Sequence, residues 1–168
     1  MWVGDEARFG LRAELRRRLT ARGVKAYGTF RFQRKWLWWY TFVEPETGRM
    51  YHRAWSRLDA ACFEATLEGF AAAYPLEHHV LVVDGSGAHT AKGLRIPENV
   101  TLFFFPPYSP EWNPTERLWQ DARARLSAFF HDFESLYNAL VSHFLSLSPA
   151  YVHSLTSYPY LRLGPRDQ

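Results

Sequence analysis

Three acidic residues stand where packing alone would not place them. Asp5 interrupts an alternating segment at the start of the chain, Asp84 ends an apolar run, and Glu116 lies near the start of a later helical pattern. Carboxylates held close together raise one another's pKa unless a cation neutralises them. Oxygen ligands without a Cys or His cluster favour Mg²⁺ or Mn²⁺ over zinc. If the three carboxylates converge, we predict a divalent-metal site, where two ions about 4 Å apart could serve phosphodiester displacement.

Each candidate also has a purely structural interpretation. Asp84 precedes Gly-Ser-Gly and could simply end a strand in a turn. Glu116 stands where a capping-box acid would sit, and Asp5 could be a solubilising residue of an edge strand. His89 could be an ordinary loop histidine. The residue types alone leave both interpretations open, and only their order together with the surrounding motifs favours a site.

The first third of the chain predicts three adjacent strands. Apolar and polar residues alternate over 1–9, which predicts a strand with Asp5 in its middle. The aromatic run 36–43 is joined to the segment 49–56 through a turn that contains Pro and Gly. Aromatic and β-branched runs around such a turn predict a hairpin.

The rest of the chain alternates helices and strands. We predict a helix from a cap at Asp59 to Pro75, strands at 78–84 and 100–105, a helix capped by Asn113 with Pro114 at its first position, a helix from about Phe133, and a tail from Ser148 that packs across the sheet. This order predicts a parallel or mixed sheet covered by helices. Asp84 would then lie at the carboxyl edge, where open α/β sheets build their sites.

Length and composition favour one folded domain spanning 1–168. Hydrophobic residues make up 47% of the chain and aromatics 17%, which argues against a disordered chain. The longest apolar-aromatic stretch, 36–43, is too short to cross a bilayer, and no basic-then-apolar leader opens the chain. The single cysteine, Cys62, excludes an internal disulfide and lies in an apolar helical pattern that favours packing over a nucleophile. We therefore expect a cytoplasmic protein without a membrane partner.

Positive charge is concentrated at the front of the chain. Residues 1–35 hold ten Lys/Arg against three Asp/Glu, a local net charge of +7, so the other 133 residues carry −4 of the overall +3. A basic segment beside a carboxylate site is expected where a polyanion is held. A solvated basic loop would look the same, and the Arg-rich residues 11–22 are predicted as a loop or a short helix.

Three motifs resemble those of a known family. The strings DEARFG, VLVVDGSGAH and FFFPPYSPEWNPTERLW are similar to the catalytic domain of mariner-like DDE transposases, in the bacterial insertion-sequence branch described as DDE superfamily endonuclease. The last string is long and specific, and the resemblance covers essentially the whole chain. It implies an α/β, RNase H-like fold: a mixed five-stranded sheet, with three antiparallel strands and then parallel ones, flanked by helices.

The resemblance also implies functional roles. Asp5, Asp84 and Glu116 match the catalytic, metal-binding triad, and Asn113, Pro114 and Trp119 match the segment that positions the Glu-bearing helix. The implied cofactor is Mg²⁺ or Mn²⁺, as two ions. The implied reaction is hydrolysis of a phosphodiester at a transposon end, after which the freed 3′-hydroxyl attacks target DNA.

DNA contacts are expected from the basic front segment. The candidate DNA-binding residues are Arg16, Arg17, Arg18, Arg22, Arg34, Lys35 and His89. Phosphate contacts of this kind bind DNA without reading its sequence. The aromatic residues Trp36, Trp38, Trp39 and Tyr40 could stack on unpaired bases, although packing in the core and hairpin is the commoner use of such residues.

Two departures from the family pattern affect the expected activity. Gly85-Ser86 stand where the family has Asn-Ala, so an amide that could orient Asp84 or touch DNA is missing. Only four residues precede Asp5, where relatives carry helix-turn-helix domains. The expected partners are therefore DNA, a separate helix-turn-helix polypeptide and a second copy of the chain. The alternative is an inactive or truncated remnant that binds DNA or a partner subunit without cutting. A nuclease for RNA–DNA hybrids is disfavoured by the Pro-Pro-Tyr-Ser-Pro block.

Overall fold

Five strands and four helices make up the chain in the computed structural model, which describes residues 1–11, 22, 35–107, 109–126, 130 and 132–158. The strands are β1 (Trp2–Gly10), β2 (Trp36–Glu44), β3 (Arg49–Trp55), β4 (His79–Val83) and β5 (Val100–Phe104). The helices are α1 (Ala60–Ala73), α2 (Thr115–Arg125), α3 (Phe133–Ser146) and α4 (Pro149–Thr156), and a 3₁₀ turn covers Pro110–Trp112.

One mixed sheet contains all five strands, in the order β3-β2-β1-β4-β5. The pairs β1–β2 and β2–β3 are antiparallel, whereas β1–β4 and β4–β5 are parallel. The predicted sheet, with three antiparallel strands followed by parallel ones, is confirmed. The strands predicted at 1–9, 78–84 and 100–105 each agree with an observed strand to within one residue at either end.

The register of the parallel pair places Asp5 beside the end of β4. Trp2 pairs with Leu81 and Val3 with Val82, so the chain leaving β4 at Asp84 runs alongside Asp5. Phe105 extends this edge, because its backbone N–H donates to the Val83 carbonyl at 2.9 Å. The middle of β1 and the carboxyl ends of β4 and β5 therefore meet at one edge of the sheet.

Two cores sandwich the sheet, because successive side chains of a strand point to opposite faces. Val3 and Ala7 belong to the core that packs under α2, α3 and α4, with Leu118 among its helical members. Trp2 belongs to the other core, which packs under α1 and includes Phe63. Asp5 shares the face of the first core, and Glu6 that of the second.

Helix caps follow the predictions with one adjustment. The Asp59 side chain accepts a hydrogen bond from the Cys62 N–H at 2.9 Å and caps α1 as predicted. Helix α2 begins at Thr115, one residue later than expected, with Pro114 in the capping position. Asn113 still supplies the cap contact, because its Oδ1 accepts from the Thr115 N–H at 3.1 Å.

The C-terminal part differs more from the prediction. Part of the tail after Ser148 is the helix α4, which patterning did not indicate; the Ser148 hydroxyl caps it, and Val152 enters the core. Tyr137, a large aromatic residue of α3, is 41% exposed. The Arg-rich segment 11–22 lies outside the described residues except at its two ends. No helix in the described part of the chain is long and apolar enough to span a membrane.

Candidate active site

Asp5 is held by two donors from α2. The Trp119 indole N–H donates to Asp5 Oδ2 at 2.9 Å, and the Thr115 hydroxyl lies 3.1 Å from the same oxygen. That hydroxyl also lies 2.5 Å from Asn113 Oδ1, and its single proton can serve one acceptor at a time. Because α2 also carries Glu116 in its first turn, one helix both anchors Asp5 and supplies the third carboxylate.

Asp84 is held by the loop that follows it. The Ser86 backbone N–H donates to Asp84 Oδ1 at 3.1 Å, and the His89 Nδ1 atom lies 2.6 Å from the same oxygen. His89 Nδ1 also lies 3.0 Å from the Asp84 backbone carbonyl. Half of the Asp84 side chain remains exposed, whereas only 1% of the His89 side chain does.

The opposite nitrogen of His89 faces Glu6. His89 Nε2 lies 3.3 Å from Glu6 Oε2, and the Glu6 side chain is 7% exposed. Neither atom has a properly oriented hydrogen-bond partner among the described residues. The contact is therefore an ion pair with imperfect hydrogen-bond geometry. The His89 ring also packs on the Phe63 ring, with centroids 4.2 Å apart.

One cleft collects the three predicted carboxylates. Asp5, Asp84 and Glu116 all line a cavity of about 490 Å³ at the carboxyl edge of the sheet. The remaining lining residues are Gly85, Ser86, Phe105, Pro106, Pro107, Ser109 and Asn113. These come from the loops after β4 and β5 and from the start of α2. The fold thus brings Asp5 and Glu116, which are more than a hundred residues apart in the chain, to one cleft.

The charge state of Asp5 reflects its dense surroundings. Although Asp5 borders the cleft, the pKa of its carboxyl is raised to about 7, mainly by burial and also by the neighbouring charges of Glu6 and Glu116, against the lowering effect of the Trp119 hydrogen bond. A cation in the cleft would remove the cost of this negative charge.

The charge state of Asp84 is the opposite. The hydrogen bond from His89 lowers the pKa of Asp84, against the effect of partial burial, and the Ser86 N–H contributes. Burial by itself lowers the pKa of His89, but its contacts with Asp84 and Glu6 outweigh burial and raise it to about 10. At neutral pH, Asp84 is therefore a carboxylate and His89 an imidazolium.

A sequence model of the family described as DDE superfamily endonuclease matches residues 1–137. The chain belongs to this family. All three residues of the predicted triad fall within the matched range. The family assignment made from the motifs is confirmed, and the bacterial insertion-sequence branch stays a prediction.

Solved structures of similar fold include Mos1 transposase complexes. The Mos1 paired-end complex with the left transposon end superposes with a TM-score of 0.71 at 17% identity, covering 92% of this chain and 50% of that one. The Mos1 mariner paired-end complex with Mn gives a TM-score of 0.70 at 19% identity, covering 92% and 51%. These likenesses confirm that the domain has the RNase H-like transposase fold.

A curated relative matches a shorter stretch. The uncharacterized protein y4pE/y4sA of Sinorhizobium fredii (strain NBRC 101917 / NGR234) is 41% identical over 61 residues, which cover 35% of this chain and 45% of that protein. The chain thus spans about half the length of the proteins that it matches.

The donor set of the cleft fits a hard divalent cation. The three acids that line the cleft offer only oxygen atoms, and the half-buried Asp5 carboxyl holds its proton up to about pH 7 in the absence of a cation. Among the described residues, a tighter group of potential ligands is Glu6, Asp84 and His89, whose ligand atoms lie within 4.8 Å of one another. The imidazole stands between those two carboxylates, however, so it already supplies their positive charge.

The predicted DNA-binding residues fall in three groups. Arg22 and Lys35 are exposed in the structure. Arg16, Arg17, Arg18 and Arg34 lie outside the described residues. His89 is buried with both ring nitrogens on carboxylates, so its ring is not presented to a DNA backbone.

The aromatic hairpin divides between core and surface. Trp39 and Tyr40 are buried and belong to the two cores, as the packing interpretation predicted. Trp36 and Trp38 instead flank Arg8, whose guanidinium lies 4.3 Å and 5.8 Å from the two ring centroids.

Glu6, which contacts His89 beside the cleft, is the main residue around the site that the sequence pattern did not indicate. Its one available signal is its place next to Asp5 on a strand, which turns it to the opposite face.

Proposed function

We propose that this domain is the cutting and joining part of a transposase, with Asp5, Asp84 and Glu116 as metal ligands. The observation that carries the proposal is the convergence of these three acids on one cleft, in a chain of the DDE endonuclease family. Bound Mg²⁺ or Mn²⁺, as two ions, would activate the attacking oxygen and stabilise the leaving oxygen of the phosphodiester.

The chain's own residues prepare that site. Trp119 and Thr115 direct one Asp5 oxygen toward α2, which fixes the orientation of the carboxyl group. Glu116 sits in the first turn of the same helix, so the position of the third ligand is coupled to that of the first. His89 and the Ser86 N–H keep Asp84 ionised and oriented. Asp84 is thus ionised and oriented before any ion binds.

DNA is the proposed substrate. One Mos1 complex of similar fold contains the left transposon end and another contains Mn, which supports DNA and a divalent ion as ligands here. We propose that exposed Arg22 and Lys35, with Arg16, Arg17, Arg18 and Arg34, hold backbone phosphates. Such contacts would make DNA binding independent of sequence and dependent on salt.

Recognition of the transposon ends is the proposed task of a partner. We propose that a separate helix-turn-helix polypeptide selects the ends and that two copies of the domain act on two ends. The cytoplasmic location stays a prediction.

A plasmid-nicking assay tests the proposed function. The full 168-residue chain would be incubated with supercoiled DNA and Mg²⁺ or Mn²⁺, beside Asp84→Asn and Glu116→Gln. Glu77→Gln is the matched control, because Glu77 is half exposed and pairs with Arg49 on another edge. We expect nicking by the wild type and the control only. Nicking by all four proteins would refute the triad, and no nicking by the wild type would favour the inactive remnant.

A further inference from the structure

We propose that Glu6 is a positioning residue of this active site, which holds the Asp84 carboxylate in place through His89. The inference rests on the proposed role of Asp84 as a metal ligand. It assigns a function to an acidic residue that lines no part of the cleft and lies on the opposite face of the sheet from Asp5.

Strand geometry separates the two neighbouring acids. Asp5 and Glu6 are consecutive on β1, so their side chains leave opposite faces of the sheet. Asp5 meets α2 on one face, and Glu6 meets His89 on the other, beside Phe63 of α1. Strand β1 thus carries the first aspartate of the triad, Asp5. Through Glu6 and the His89 imidazole, the same strand also supports the second, Asp84.

The contacts form a continuous chain of charges. Asp84 Oδ1 lies 2.6 Å from His89 Nδ1, and His89 Nε2 lies 3.3 Å from Glu6 Oε2. The side chains of His89 and Glu6 are almost fully buried, with 1% and 7% exposure. A buried carboxyl group without a polar partner is costly, and His89 Nε2 is the polar atom that Glu6 faces at this distance.

The alternative of a metal ion within this group does not suit the geometry. The imidazole directs its two nitrogens away from each other, one toward each carboxylate, whereas metal ligands must direct their atoms to a common point. The ring would have to leave both acids to admit a cation. The arrangement therefore fits an anchor for Asp84 better than a second metal site.

Asp84 needs such an anchor because its own segment is poorly restrained. It follows the last residue of β4, half of its side chain is exposed, and the next three residues are Gly-Ser-Gly. Glycine adds conformational freedom to a loop. The family amide that could steady Asp84 is also replaced by Gly85. His89 is the one charged donor that touches Asp84 in the described part of the chain, and Glu6 fixes the far side of its ring.

Substitutions at Glu6 test the proposal. Glu6→Leu removes the carboxylate and fills a similar space, whereas Glu6→Gln keeps an oxygen that can accept from His89 Nε2. We expect Glu6→Leu to raise the Mn²⁺ concentration for half-maximal nicking by about tenfold, the size typical for residues that orient metal ligands, with the rate largely recovered at saturating Mn²⁺. We expect Glu6→Gln to recover most of the wild-type dependence.

Two controls separate positioning from general destabilisation. Glu44→Gln removes another buried, ion-paired glutamate, at the far end of β2, and should leave the Mn²⁺ dependence unchanged. His89→Asn keeps an amide that can reach Asp84 but cannot reach Glu6. Adding Glu6→Leu to His89→Asn should therefore change the Mn²⁺ dependence no further. Equal Mn²⁺ curves for Glu6→Leu and Glu44→Gln would overturn the proposal, as would additive effects in the double variant.

Crystal structures of the metal-free proteins give a readout that does not need activity. In Glu6→Leu and in His89→Asn with Glu6→Leu, we expect the Asp84 side chain to leave its wild-type rotamer. An unchanged Asp84 in contact with an unchanged His89 in Glu6→Leu would overturn the anchor. If the wild type fails to nick at any Mn²⁺ concentration, the proposed function fails, and these structures still decide whether Glu6 holds Asp84.

Discussion

Asp5 and Asp84 lie at the same edge of the sheet but are held in opposite ways. Asp5 is fixed by neutral donors in dense surroundings, and its pKa rises to about 7. Asp84 is half exposed on a loop, and the imidazolium of His89 lowers its pKa. The Asp5 carboxyl is therefore fixed in position but has a raised pKa. The Asp84 carboxylate is ionised but depends on His89 for its position.

The comparison shows how one cleft can favour an ion without a fully charged site. Ionised Asp5 lowers the stability of the metal-free fold, and a bound cation would remove this loss. Ionised Asp84 causes no such loss, because its charge is already balanced. The first aspartate should thus control the energy of metal binding, and the second its geometry.

The largest expected effect is at Asp5. Asp5→Asn should lower nicking by at least about a thousandfold, because a proposed metal ligand is lost. It should also raise the free energy of unfolding of the metal-free protein at pH 8 by on the order of 2 kcal/mol, since the buried charge is removed. Asp84→Asn should lower both the nicking rate and the free energy of unfolding, because it removes the partner of His89. Thermal unfolding and nicking assays check this. Equal stability changes in the two variants would contradict the proposed difference between Asp5 and Asp84.

The next effect is on pH. The folded pKa of Asp5 lies above its unfolded value of 3.8, so its contribution to stability is present below pH 3.8 and is lost as the pH rises to about 7. Metal must displace the Asp5 proton below pH 7, so the Mn²⁺ dissociation constant should be about tenfold higher at pH 6 than at pH 8. Calorimetric titrations at pH 6, 7 and 8 measure it. A constant affinity from pH 6 to 8 would show that Asp5 is already ionised.

A smaller effect is expected at the donor to Asp5. Trp119→Phe keeps an aromatic ring but removes the indole N–H, and should lower nicking by about tenfold and stability by about 1–3 kcal/mol. Trp55→Phe is the matched control, because Trp55 donates the same kind of bond, at 2.9 Å, to Thr66 on α1. It should lose stability and keep activity. Similar activity losses in both variants would assign the Trp119 effect to folding.

The smallest effect is expected beside Asp84. A Cβ added at Gly85 would have no atom within 4 Å, and the glycine is not in the left-handed region, so Gly85→Asn fits the loop. A restored amide that adds one hydrogen bond to Asp84 should raise nicking by about two- to fivefold. The initial rate at limiting Mn²⁺ measures the gain. An unchanged rate would mean that His89 and Ser86 already restrain Asp84 fully.

Much of this molecule follows from local pattern. The alternation over 1–9, the apolar runs before Asp84 and before Pro106, and the cap at Asp59 each depend on residues close together in the chain. The motifs around Asp84 and Glu116 identified the family. The helix α4 was missed because its apolar spacing is interrupted by polar residues and its packing partners lie on distant elements.

The support of the site was decided by the tertiary structure. Trp119 and Asp5 are 114 residues apart, and His89 meets Glu6 only because β4 pairs in parallel with β1. Periodicity records which face a side chain takes on its own element, but not which distant group lies opposite. The sequence by itself thus predicted the three carboxylates and their class of chemistry. The tertiary structure alone decided that Asp5 resists ionisation and that Asp84 depends on a buried histidine, because pKa and orientation are set by neighbours that the fold brings into contact.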